Sequence, residues 1–228
     1  MTLVEPSLRA DFVNDIPLAS HQELEHQASF FNDAFLTRHL LDAMPGMVLV
    51  LNKYRQIVFA NRAFNQLSGR HETESLVGLL VGDVLQCHVA IDKNTVCGTT
   101  DSCETCGALV AMLSGLSGVD SVQECTLTQH DGLVAQHLTL RVWSAPLCFG
   151  EEEFVVLAGT DVSHERRRLA LERTFFHDIL NLVASIQGFA ELMEIDESVD
   201  PMMVSRRIQS ASQKVIEEID AQRVLLAV

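Results

Sequence analysis

The sequence predicts an α+β fold: a five-stranded antiparallel sheet with flanking helices, followed by a pair of long helices. Three observations carry this. Five short β-patterned runs fall into a group of two and a group of three, with Asp131-Gly132, a strong hairpin dipeptide, inside the second group. From Ser163 onward the apolar positions switch to helical spacing and keep it almost to the last residue. Hydrophobic residues make up 47% and charged residues 21% of 228 residues, a globular balance in a length that allows two modest domains.

In chain order, residues 1–19 carry mixed charge and two prolines and begin loosely. From Ser20 to Ala43 the apolar residues Leu24, Phe30, Phe31, Phe35, Leu40 and Leu41 recur at helical spacing, until Met44-Pro45-Gly46 breaks the pattern. "MVLVLN" and "QIVFAN" read as strands around the polar turn Lys53-Tyr54-Arg55. "NRAFNQLSG" reads as a short helix capped by Asn61 and stopped at Gly69. Glu72–Gly118 mixes short helices with a cysteine-rich insert. Three strands follow, Ser121–Gln129, Leu133–Ser144 and Phe154–Asp161, with Leu138, Leu140 and Val142 alternating with polar neighbours. One long helix spans Ser163 to Glu194. Asp200-Pro201 opens a second, aspartate as N-cap and proline at the first helical position, that runs to Leu226.

The net charge of −15 repels a phosphate backbone, so nucleic acid is excluded as a direct partner. No apolar run reaches the roughly 18 residues that span a bilayer, and the first residues lack a secretory layout, so no membrane is expected and the location is expected to be cytoplasmic. In that compartment six cysteines are thiols or metal ligands rather than structural disulfides.

The long helix carries "TFFHDILN". Leu169, Phe176, Val183 and Ala190 are spaced by seven, and so are Glu172, Ile179, Ile186 and Met193, three residues later; together they form an a/d seam, widened by Phe175, Leu182 and Phe189. His177 follows a seam position and shares its side of the helix with Thr174, Asp178, Asn181, Ser185 and Gly188, all polar or small. A lone histidine on an apolar helix is more often core packing; here the phase puts it on the wet face. A neutral imidazole there is nucleophilic near neutral pH, Asp178 can orient it, and Asn181 lies one turn on with an amide able to position an oxygen.

"LLDAMPGMVLVLNKYRQIVFANRAFNQLSG" resembles the opening of a PAS domain, and "VLAGTDVSHERR" its usual exit, in which the last strand ends in an Asp-x-Ser/Thr turn and feeds a signalling helix. "FFHDILN" resembles the phosphoacceptor box of sensor histidine kinases. The resemblance implies that His177 is the phosphoacceptor, that Asp178 assists autophosphorylation and that Asn181 supports dephosphorylation of a partner response regulator. It also implies that the second helix, with its stripe Val204, Ile208, Ala211, Val215 and Ile219, closes a hairpin that pairs with a second copy as a homodimeric four-helix bundle. The expected layout is therefore an N-terminal helical segment at 1–36, a PAS sensor domain at 37–163 and a dimerisation and phosphoacceptor hairpin at 164–228. Such kinases need an ATP-binding domain, and no nucleotide fingerprint occurs up to Val228. It is expected in cis beyond Val228 or in trans, so ATP is used only through it.

Within the PAS-like part, Cys87, Cys97, Cys103 and Cys106 are separated by nine, five and two residues. A CxxC pair can chelate one ion from a tight turn, and Gly98 and Gly107 after cysteines permit sharp turns. Four thiolates suit an iron–sulfur cluster or zinc, with His88 a possible substitute ligand. A thiol–disulfide switch and a site without metal are the alternatives. Cys125 and Cys148, on or near strands, read as packing. Some PAS sensor kinases hold a cysteine-ligated iron–sulfur cluster, which this insert resembles in kind. The functional expectation is the sensor part of a two-component histidine kinase, with redox or metal-centre sensing controlling His177. The alternative is a non-catalytic PAS adaptor or phosphorelay protein with structural zinc.

Overall fold

A computed structural model describes residues 18–32, 35–69, 76–92, 95–131, 134–196, 198 and 200–226. The chain divides into two compact units, Met1–Ser163 and His164–Val228.

The first unit is built on a five-stranded antiparallel sheet: β1 (Met47–Asn52), β2 (Ile57–Ala60), β3 (Ser121–Asp131), β4 (Val134–Phe149) and β5 (Glu152–Asp161), in the spatial order β2-β1-β5-β4-β3. Every residue of β1 is buried, because it lies inside the sheet and both faces are covered. On one face Met47, Leu49, Leu51, Leu140, Val142 and Leu157 pack with Phe64, Ala111 and Met112 from the helices. On the other, Val50, Val58, Phe59 and Phe154 pack against Phe31 of α1 (His21–Asn32).

The expected helix over Ser20–Ala43 is described as α1 and α2 (Phe35–Asp42); residues 33 and 34, where they would join, lie outside the described residues. α1 packs on the sheet's outer face. Phe31 meets Phe154 edge to face at 5.4 Å, and the fully buried Gln27 donates to Glu152 Oε2 at 2.6 Å while accepting from Asn52 Nδ2 at 3.1 Å. α3 (Arg62–Leu67) starts where expected, with Asn61 Oδ1 accepting from Phe64 N at 3.1 Å, and ends before Gly69 at φ +67°. α4 (Val81–Val84), α5 (His88–Asp92), a 3-10 turn (Asp101–Thr105) and α6 (Gly107–Leu116) fill the stretch before the last hairpins.

β4 runs five residues beyond the expected end at Ser144, and β5 starts at Glu152 rather than Phe154. Pro146 hides this extension, since proline cannot donate to a ladder and argues against a strand interior. β3 stops at the Ser121–Ser144 pair, so from Ala145 onward β4 pairs with β5 alone, and the missing N–H costs no ladder bond. Gly132 of the Asp131-Gly132 hairpin signal and residue 133 lie outside the described residues; the strands on either side pair down to Asp131–Val134.

The second unit comprises the body of α7 (Ser163–Ile195) and α8 (Pro201–Leu226). Asp200 caps α8, its Oδ1 accepting from Met202 N at 2.9 Å. No helix among the described residues is long and apolar enough to cross a membrane.

Candidate functional site

Two groups of side chains carry chemistry, one in each unit. In the first unit a cavity of about 260 Å³ lies between the sheet's inner face and α4, α5 and α6. Cys87, Cys97, Cys103, Cys106 and Cys125 all line it among apolar walls such as Leu140 and Val142. The four cysteines expected to act together thus share one cavity, and a fifth joins them. Cys125 packs as expected, at 4% exposure, but its sulfur lies 3.6 Å from that of Cys106. Cys148, expected to pack, is exposed on the β4 extension. All six cysteines are free thiols.

Local structure explains the gathering. Gly82 in α4 touches the side chains of both Cys87 and Cys97; a Cβ there would run into Cys97 Sγ. Cys97 is held through its N–H, which donates to Asp83 Oδ1 at 3.3 Å. Gly98 follows at φ +89°, and the Arg55 guanidinium fills the space where its Cβ would stand. Cys103 sits in the 3-10 turn, its sulfur 3.2 Å from Thr100 Oγ1. Cys106 caps α6, and Gly107 presses the helix start onto the β3 backbone at Glu124. His88, the substitute ligand, lines the cavity too, with Nδ1 3.0 Å from Asp92 Oδ1.

The environment splits the thiols electrostatically. Cys106 is held below the usual thiol range, chiefly by a hydrogen bond from Cys125 and further by the N–H groups of Leu109 and Ala108 at the start of α6. Cys125 moves the opposite way for the same reason: it keeps the proton the pair shares. Burial, with the Asp83 carboxylate second, pushes Cys97 up to about 12. Arg55, buried and at φ +64°, is pushed below its ordinary value by burial and pulled back by the nearby Cys97 and Cys103 sulfurs. Read as a turn residue, Arg55 gave no sign of standing inside the domain; its left-handed φ was the hidden cause.

Among the described residues, no three His, Cys, Asp or Glu side chains stand in an arrangement able to hold a metal ion. The thiols share a wall rather than a point, so the cysteine set does not fit a metal or cluster as it stands.

In the second unit His177 lies on the solvent side of α7, its side chain 72% exposed. Its Nδ1 is 3.1 Å from Asp178 Oδ1, and Asn181 Nδ2 is 3.3 Å from each ring nitrogen. One proton arrangement satisfies all three groups: Nδ1–H donates to Asp178, and Nε2 keeps a lone pair that accepts from Asn181. In that tautomer Nε2 carries the ring's lone pair. The three residues expected to act together are therefore adjacent and open to water. Within one chain only part of the expected stripe is covered. Phe175, Ile179, Leu182, Ile186 and Phe189 are half-buried, whereas the seam members Leu169, Phe176 and Val183 are exposed, Phe176 at 61%. On α8, Val204 and Ala211 are buried and Ile208 and Val215 half-buried, as the stripe requires, while Ile219 is exposed.

Residues 36–99 match the family model of the PAS domain. That span takes in α2, β1, β2, α3, α4 and α5 and the first two cavity cysteines, Cys87 and Cys97. No curated protein matches the sequence. Solved structures similar to the chain include a PAS domain from a two-component sensor histidine kinase (11% identity, 62% of this chain and 99% of that one, TM-score 0.38). Others are the PAS domains of nitrogen regulation protein NR(II) from Vibrio parahaemolyticus (16%, 55% and 97%, 0.38) and of BvgS from Bordetella pertussis (15%, 63% and 98%, 0.42). Likeness at this level carries no functional argument. The PAS match and the five-stranded antiparallel sheet with flanking helices agree with each other on the fold of the first unit.

Proposed function

We propose that this chain is the sensor and phosphoacceptor part of a two-component histidine kinase, in which the PAS domain senses redox state through its cysteine-lined cavity and thereby controls phosphorylation of His177. The observation that carries the reading is the exposed His177 with Asp178 and Asn181 against its two ring nitrogens. Asp178 takes the hydrogen bond of Nδ1–H and balances the positive charge that grows on the ring as Nε2 attacks a phosphoryl group. Asn181 must swing from Nε2 to let the phosphorus in, and its amide then lies beside the phosphoryl oxygens. An ATP-binding kinase domain supplies the phosphoryl group, and a response regulator carboxylate receives it. The exposed apolar residues Leu169, Phe176, Leu180 and Val183 support a homodimer through α7. A cytoplasmic location goes with the redox reading.

Incubation with a cognate kinase domain and labelled ATP should label the chain with base-stable, acid-labile phosphate, and His177→Gln should remove the label. A label that survives in His177→Gln overturns the assignment. The iron–sulfur or zinc reading requires Cys87, Cys97, Cys103 and Cys106 to draw together from where they stand. Metal analysis and the visible spectrum of anaerobically purified protein decide it: iron with sulfide, or one zinc per chain, supports a bound centre.

A further inference from the structure

We propose that Cys106 and Cys125, rather than the CxxC pair Cys103–Cys106, form a reversible dithiol–disulfide pair oxidised by hydroperoxides. The inference rests on the redox reading of the cavity and names the atoms that carry it.

The two sulfurs are 3.6 Å apart, at van der Waals contact, and a disulfide needs them to close to about 2.05 Å. This proximity is built by the backbone. Cys106 ends the 3-10 turn region and caps α6. Gly107, the first residue of the helix, lies directly on β3: a Cβ there would run into the Glu124 carbonyl and stand 3.3 Å from Cys125 N. Only glycine lets helix and strand approach so closely, and the approach occurs at the residue pair that carries the sulfurs. Cys106 Sγ has Cys125 Sγ as its side-chain neighbour at 3.6 Å. Cys125 is buried and Cys106 half-buried, both on the cavity wall, so a small peroxide meets Cys106 first and Cys125 is the resolving partner. Cys103, by contrast, turns its sulfur to Thr100 Oγ1.

The chemistry balances with the peroxide as oxidant. The Cys106 sulfur attacks one peroxide oxygen, the O–O bond breaks, and the other oxygen leaves as water or alcohol with the proton given up by Cys106. Cys106 is then a sulfenic acid. The Cys125 sulfur attacks it, the S–S bond forms, the S–O bond breaks, and the hydroxide leaves as water with the Cys125 proton. Two thiols lose two electrons in all, and the peroxide gains them. A small dithiol reverses the step.

The test uses the full chain, reduced and anaerobically purified, treated with hydrogen peroxide and mapped by peptide mass spectrometry. The expected result is one linked pair, Cys106–Cys125, and a fall in free thiols from six to four. Cys103→Ser should leave the link intact. Cys125→Ser should abolish it and leave a sulfenic acid at Cys106 that dimedone traps. A Cys103–Cys106 or Cys87–Cys97 link in its place overturns the proposal, and so does wild-type protein that keeps all six thiols or holds a metal on these sulfurs. The map involves no phosphoryl transfer, so its failure is separate from failure of the His177 assignment.

Discussion

A single asparagine shows how much of this fold rests on individual side chains. Asn61 is fully buried and uses every hydrogen-bonding position it has: Oδ1 accepts from Val48 N and Phe64 N, and Nδ2 donates to the carbonyls of Leu41 and Gly46. It ties α2, β1 and α3 together. Asn61→Ala removes a helix cap and strands buried backbone groups, so a loss of about 2–4 kcal/mol is expected in urea unfolding, with the slope unchanged. The cap was legible in the sequence because it obeys a local rule; its partners on α2 and β1 were not, since they are distant along the chain. The thiols divide in the same way. The CxxC spacing was visible, whereas Cys125 lies nineteen residues beyond Cys106 and reaches it only because β3 passes under α6. Cys97 yields a pH prediction. Its folded value, pushed up to about 12, exceeds the ordinary thiol value of 9.0, so between these pH values the unfolded chain has lost a proton that the folded chain keeps. Stability then falls as pH rises through that window and is unaffected below it. Cys97→Ala should flatten the alkaline limb of a plot of unfolding free energy against pH; an unchanged limb removes the burial argument.

At the scale of elements, α1 is the piece whose role the sequence left open. Its stripe of Leu24, Phe30 and Phe31 announces a buried face but not the surface that covers it. The structure lays it on the outer face of β2, β1 and β5, where Phe31 packs on Phe154 and Phe59, and Phe30 on Phe149. The Phe149 contact exists because β4 continues past Pro146, the same extension that the proline concealed. Phe31→Ala should cost about 3–5 kcal/mol, by removing an aromatic core residue from a small cluster. The sheet beneath retains its inner core, so the observable beyond lost stability is faster hydrogen exchange in β2 and β5. Equal protection in variant and wild type would show that α1 adds little to the sheet. The two long helices were read almost to their ends, because a sustained heptad pattern depends on local spacing alone. Which members of the stripe are covered within one chain depends on what else packs there: Phe175 and Leu182 are half-buried, and Phe176 and Val183 are exposed.

For the whole molecule, the proposed function requires that a change in the PAS cavity be felt at His177. β5 and α7 meet at a point held by three hydrogen bonds. Asp161 Oδ1 accepts from Ser163 N at 2.8 Å, Ser163 Oγ accepts from Thr139 N at 2.8 Å, and Val162 N donates to Thr139 O at 2.8 Å. The first residue of α7 is thus bonded to β4, which also pairs with β3, the strand that carries Cys125. α7 then continues without interruption through His177 to Ile195. On the proposed reading the signal passes along this helix as rotation or sliding, so its phase is the quantity to test. One residue inserted beside Arg168 turns everything downstream by about 100° while leaving both units' own packing untouched. The insertion variant should keep its circular dichroism, its peroxide-formed disulfide and its ability to accept phosphate at His177 from a kinase domain. What it should lose is the difference in labelling rate between the reduced and oxidised forms. If that difference survives the insertion, the signal does not travel through the phase of this helix.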